Sequence, residues 1–132
     1  MDVVVTGGRG FVGMSVARAL ARGGATVWSV DRGPHDAWTD AFLAGESAAI
    51  RQLTADLGRP GDLARVLPLE KLDAVVHAAV VTATTTHVER AAARDIVDSN
   101  MGGTIEALQL ATTRGATRRH SPPPDDPIAC GP

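Results

Sequence analysis

Four glycines stand among residues 7–13 (Gly7, Gly8, Gly10 and Gly13), directly behind the apolar run Val3-Val4-Val5 and Thr6. Backbone without Cβ atoms lets an anion approach N–H groups closely, and a helix starting at such a loop adds its positive end. The chemistry this suits is the binding of a pyrophosphate. Gly7 or Gly8 lets the chain turn, Gly10 lets backbone approach the phosphates, and Gly13 lets the helix pack on the sheet. Both G-x-G-x-x-G (Gly8, Gly10, Gly13) and T-G-x-x-G-x-x-G (Thr6, Gly7, Gly10, Gly13) fit the stretch. Further on, Asp31 closes the next apolar run. A carboxylate there can accept hydrogen bonds from the ribose hydroxyls of an adenosine and repels a 2′-phosphate, which favours NAD. NADP stays open, because either Arg9 or Arg32 can contact a 2′-phosphate.

These residues need a strand before the loop and a helix after it. Val3-Val4-Val5 is continuous rather than alternating, as expected of a strand buried on both faces. Phe11, Val12, Met14, Val16, Ala17, Leu20 and Ala21 then fall at helical spacing, closed by Gly23-Gly24. Ala25 to Asp31 reads as a second strand, and residues 32–48 as a loop with a short helix around Trp38 to Leu43. A third strand lies within Ala49 to Leu57, before a short helix that Pro60 can start at its first position. Asp73 to Ala79 reads as a fourth strand, and Val88 to Thr113 as a long helix. Strands alternating with helices predict a parallel sheet with right-handed crossovers, an α/β doubly wound domain over residues 1–119. Residues 120–132 form a proline-rich tail that can be neither helix nor central strand and is expected to be disordered.

Composition excludes several classes. The formal net charge of −2 gives no general attraction to nucleic acid or an anionic membrane. The single cysteine, Cys130, cannot form an internal disulfide, and no basic segment precedes the apolar run at Val3. No run reaches membrane-spanning length. A cytoplasmic protein is the expectation, with no metal site.

Taken together, these motifs resemble the start of the extended short-chain dehydrogenases/reductases, the NAD-dependent epimerase/dehydratase family. "VVVTGGRGFVG" is similar to that family's opening, with Gly7, Gly10, Phe11 and Val12 as cofactor contacts beside Asp31 and Arg32. "TADL" resembles the segment after the third strand, which implies that Asp56 and Leu57 meet the adenine ring; Asp56 also fits a helix cap. "DAVVHAAVVTATTT" resembles the turn beside the nicotinamide ribose, implying contact through the backbone of His77, Ala78 and Ala79. His77 itself, among apolar neighbours, reads as a packed strand-end residue rather than an acid or base. Thr82 and Thr84 to Thr86 fit a substrate loop or a plain turn. "VDSNMGGTIEALQLA" resembles the long helix whose asparagine, here Asn100, helps hold the active site in shape. Gly102-Gly103 after it fits close packing on the sheet or a kink. The resemblance covers roughly residues 2–118.

The family's chemistry uses a Y-x-x-x-K pair with a nearby serine or threonine. This sequence has no tyrosine, and Lys71, its only lysine, precedes the fourth strand. No catalytic residue is therefore assigned. The expectation is the NAD(P)-binding portion of an epimerase/dehydratase-like protein, truncated after about four strands and inactive as this chain. Its partner is a dinucleotide, with a small-molecule substrate such as a nucleotide sugar only in a full-length relative. Self-association through an exposed sheet edge is a further expectation. The alternative is a non-catalytic NAD(P)-sensing module. A methyltransferase also uses a glycine loop and an acidic residue, but Thr6-Gly7 and the "HAA" turn argue against it.

Overall fold

The valine run explains the architecture. In a strand, successive side chains point to opposite faces. Val3 and Val5 pack with Ala17, Ala21 and Val27 on one face, while Val4 packs with Val30, Leu57, Leu63 and Leu110 on the other. All three valines are buried, so the sheet needs helices on both sides.

The structure, a computed structural model, describes residues 1–82 and 93–116. Its order is β1 (Asp2–Thr6), α1 (Phe11–Arg22), β2 (Thr26–Asp31), α2 (Ala37–Leu43) and a 3₁₀ segment (Ala44–Ala49). Then follow β3 (Ile50–Thr54), α3 (Asp62–Val66), β4 (Ala74–His77), α4 (Ala93–Val97), a π-helical turn (Asp98–Gly102) and α5 (Gly103–Thr113). The four strands form one parallel sheet in the order β3-β2-β1-β4. Thr6 at the end of β1 lies level with Val30 on β2 and His77 on β4. The expected doubly wound α/β sheet is thus what the chain forms. The proline-rich tail, Thr84 to Thr86 and the first residues of the expected long helix lie outside the described residues.

Two expectations change. Helix α3 begins at Asp62 rather than at Pro60. The Asp62 carboxylate accepts the Asp56 N–H at 2.8 Å, and Gly61, at φ +81°, gives its N–H to Glu106 Oε1 at 2.9 Å. Residues 56–62 therefore close on themselves and on α5 before the helix starts, and Pro60 sits in that turn. The long helix is not uniform either, since the π-helical turn separates α4 from α5. There the Thr104 hydroxyl donates to the Asn100 carbonyl at 2.8 Å. A Cβ on Gly103 would stand 3.2 Å from Leu57 Cβ, just beyond β3, and 3.5 Å from His77 Cε1 on β4. The two glycines thus combine close approach to the sheet with a departure from α geometry.

Among the described residues β4 pairs only with β1, and no helix is long and apolar enough to cross a membrane.

Candidate functional site

The chain leaves β1 in opposite directions: toward β2 and β3 on one side, toward β4 on the other. A crevice opens at the carboxyl ends of strands at such a switch point. The loop after β1 lies there.

Gly7 makes the turn at φ +71°, and a Cβ on it would lie 2.6 Å from the Ala79 nitrogen and 2.7 Å from the Ala78 carbonyl carbon. The loop is pressed against the chain leaving β4, and only glycine fits. Gly10 gives its N–H to the Gly7 carbonyl at 2.9 Å and accepts from Met14 at 2.9 Å, so it is the N-cap of α1. Gly13 serves a different contact from the one expected. A Cβ there would run into the Gly7 carbonyl, so Gly13 lets α1 close on its own loop. The first turn of α1 has no acidic residue, leaving its positive end uncompensated.

Gly7, Gly10, Val12 and Gly13 line one wall of the cleft. Asp31 and Arg32 line the end beyond β2; Asp56 and Leu57 line the part after β3. Ala78 and Ala79 complete the wall after β4, with Asn100 reaching in from the π-helical turn. Two of the sequence-derived candidates stand apart. Phe11 is 76% exposed and is not among the residues lining the cleft. The His77 ring is turned toward the helix: Nδ1 lies 2.8 Å from Thr6 Oγ1 and Nε2 lies 3.3 Å from Thr104 Oγ1. Burial pushes the His77 pKa down and favours a neutral imidazole.

Each carboxylate in the cleft is fixed by backbone. Asp31 Oδ2 accepts the Arg9 N–H at 3.1 Å, and Oδ1 accepts the Arg32 N–H at 2.8 Å. An ionised carboxylate has about four acceptor positions, so each oxygen keeps one for a ligand. Asp56 Oδ1 accepts the Gly58 N–H at 3.0 Å, so it caps a turn rather than a helix, and Arg59 Nε lies 3.5 Å from its other oxygen. Asn100 spends its amide on Val81, accepting the N–H at 2.7 Å and donating to the carbonyl at 3.0 Å.

Gly58, Val80, Val81 and Ser99 also line the cleft and were missed by the sequence reading. Only Ser99, beside Asn100, offered a polar side chain as a signal; the others contribute backbone or apolar surface. The sequence reading also missed a polar chain behind the loop that runs from the buried Ser29 out to the exposed Asp40. Ser29 Oγ lies 3.0 Å from His35 Nε2, and His35 Nδ1 lies 3.6 Å from Asp40. A Cβ on Gly8 would collide with the Ser29 hydroxyl. Ser29 is buried, so this serine–histidine–aspartate series presents no reachable nucleophile and instead props the loop.

Comparison with known proteins places this geometry. A family model described as the NAD dependent epimerase/dehydratase family matches residues 3–121. A dTDP-4-dehydrorhamnose reductase from Burkholderia thailandensis is 32% identical over 114 residues, which is 86% of this chain and 30% of that protein. A UDP-glucose-4-epimerase from Stenotrophomonas maltophila, solved with NAD and formylated UDP-arabinopyranose, is 28% identical with a TM-score of 0.71. The match covers 89% of this chain and 35% of the epimerase. A short-chain type dehydrogenase/reductase from Mycobacterium ulcerans is 30% identical with a TM-score of 0.70, covering 86% of this chain and 46% of that one. The chain thus spans less than half the length of these similar proteins.

Proposed function

The chain belongs to the NAD dependent epimerase/dehydratase family, and from that premise we propose that its cleft binds a nicotinamide dinucleotide, NAD in preference to NADP. The observation that carries this reading is Asp31. Its carboxylate is held by two backbone N–H groups, with one acceptor position free on each oxygen at the ribose end of the cleft.

In this reading the pyrophosphate lies over Gly7 and Gly10 at the start of α1, where backbone N–H groups and the helix end favour negative charge. Phe11 and Val12 contribute through their backbone in the first helical turn. Asp31 takes the adenosine ribose, with Arg32 beside it. Asp56 and Leu57 border the adenine, and the backbone from His77 to Ala79 borders the nicotinamide ribose. Asn100 acts on that end by fixing Val81. The cofactor supplies hydride chemistry when bound; these residues bind and orient it.

The similar proteins named above include a UDP-sugar-bound epimerase and a dTDP-sugar reductase. The substrate class we propose for a longer relative is accordingly a nucleotide sugar or related alcohol or ketone. The 132 residues contain no tyrosine, so the acid/base group typical of the family, worth about 10²–10⁴-fold, is absent from them. This chain alone is expected to bind without turnover. We assign residues 1–119 to the dinucleotide-binding unit and 120–132 to a tail outside it. The side of β4 that has no partner strand among the described residues is the surface through which we expect self-association. A cytoplasmic setting goes with this reading, because the lone Cys130 needs no oxidising compartment.

Calorimetric titration of the purified chain tests the reading. NAD should bind at one site and S-adenosylmethionine should not. Gly10→Val should abolish binding while far-UV circular dichroism stays unchanged. Absorbance at 340 nm and chromatography with UDP-, GDP- and dTDP-sugars should show no turnover. Native chain that fails to bind either NAD or NADP overturns the proposal.

A further inference from the structure

At the Asp31 end of the cleft a second carboxylate controls a cation. Arg9 lies inside the glycine loop, and its N–H donates to Asp31. Its guanidinium, however, extends along the chain that leaves β2. A Cβ added to Gly33 would stand 3.1 Å from Arg9 Nη1, and Arg9 Nη2 lies 3.6 Å from Asp36 Oδ2. Asp36 is itself immobilised as the N-cap of α2. Its Oδ1 accepts both the Thr39 N–H and the Thr39 hydroxyl, each at 2.8 Å, which leaves Oδ2 facing Arg9. Thr39 foremost, with Arg9 adding to it, holds the Asp36 carboxyl below the usual carboxylate range, so it is ionised near neutral pH.

Resting on the nucleotide site proposed above, we propose that Asp36 is a cofactor-specificity residue. By tethering the Arg9 guanidinium to the start of α2, it withholds from the ribose edge the cation that a 2′-phosphate needs. Asp31 repels the 2′-phosphate directly, and Asp36 removes the compensation. Among the described residues that line the cleft, Arg32 is then the one basic side chain left. The side chains of Arg9 and Asp36 are 44% and 50% exposed, so the tether is a modest one. Its effect should be a bias rather than an absolute exclusion.

The test compares NAD and NADP affinities of the full chain by calorimetry at one fixed ionic strength. Asp36→Asn removes the charge and keeps a good N-cap, and Asp36→Ser repeats the change with a second uncharged cap. Both should lower the ratio of NADP to NAD dissociation constants about two- to fivefold, the scale expected of one exposed ion pair. Combined with Arg9→Gln, neither substitution should move the ratio, because its agent is gone. An unchanged ratio in the single variants, or the same shift persisting with Arg9→Gln, overturns the proposal. Failure of the native chain to bind either nucleotide is a different result: it removes the nucleotide site itself, and this inference with it.

Discussion

Asn100 holds Val81 by both backbone groups, its Oδ1 taking the N–H at 2.7 Å and its Nδ2 giving to the carbonyl at 3.0 Å. The amide thereby acts as one further rung of hydrogen bonding beyond the end of β4. Backbone groups in a partly buried loop need partners, and here a side chain from the π-helical turn supplies both.

Removing that clamp should therefore cost stability. Asn100→Ala leaves two partly buried backbone groups without partners, at about 1–3 kcal/mol. Asn100→Asp keeps the acceptor but loses the donor and should fall between. Urea unfolding midpoints measure both, and NAD affinity should decline in the same order. An alanine variant as stable as the native chain would show that the clamp is idle.

Asp31→Ala tests the ribose end. Loss of a charged acceptor should weaken NAD by about 1–3 kcal/mol. NADP should suffer less or improve, because the repulsion of its 2′-phosphate goes too. Equal losses for both nucleotides in calorimetry would take Asp31 out of the site.

The glycines should separate strain from collision. Gly7 and Gly24 both have positive φ, at +71° and +87°. Alanine at Gly24 meets nothing within 4 Å and should cost only the conformational penalty, about 1–2 kcal/mol. Alanine at Gly7 adds a clash with the Ala78–Ala79 backbone and should cost clearly more, with nucleotide binding lost. Thermal unfolding of the two variants is the comparison; equal melting temperatures would contradict it.

His77 predicts a pH dependence. Burial lowers its folded pKa below the reference value of 6.5, so the unfolded chain binds more protons as pH falls through that value. Stability should rise with pH in that window and be lost as pH drops from 6.5 toward the folded pKa. The lowered carboxyls of Asp36, Glu46 and Asp62 act only in more acidic solution. Melting temperature between about pH 5 and 7 should slope less in His77→Gln than in the native chain. Parallel profiles would assign the slope to other groups.

Much of the frame was legible because it depends on neighbours in sequence. Val3-Val4-Val5 foretold a strand covered on both faces, and the spacing from Met14 to Ala21 foretold the helix behind the loop. Pro60 misled because its preference for a first helical turn was outweighed by tertiary bonds. The Asp62 carboxylate is drawn back to the Asp56 N–H, and Gly61 is drawn to Glu106, 45 residues away. The π-helical turn was hidden for the same reason: the two glycines announced close approach or a kink, and only packing against Leu57 joined the two.

By itself the sequence determined a strand–glycine loop–helix unit, a parallel sheet and an acidic residue at the end of the second strand. Each of these follows from hydrophobic period and local backbone freedom, which travel with the residues. Tertiary structure alone decided that Gly7 abuts Ala79, that Asn100 spends its amide on Val81, and that Arg9 points to Asp36. It also decided that the His77 ring, 71 residues from Thr6, turns to that hydroxyl, and that His77 is not among the residues lining the cleft. The physical reason is that parallel crossovers join strand ends distant in sequence, and the cleft they form is walled largely by backbone groups. Every residue carries those groups, so no side-chain pattern announces them.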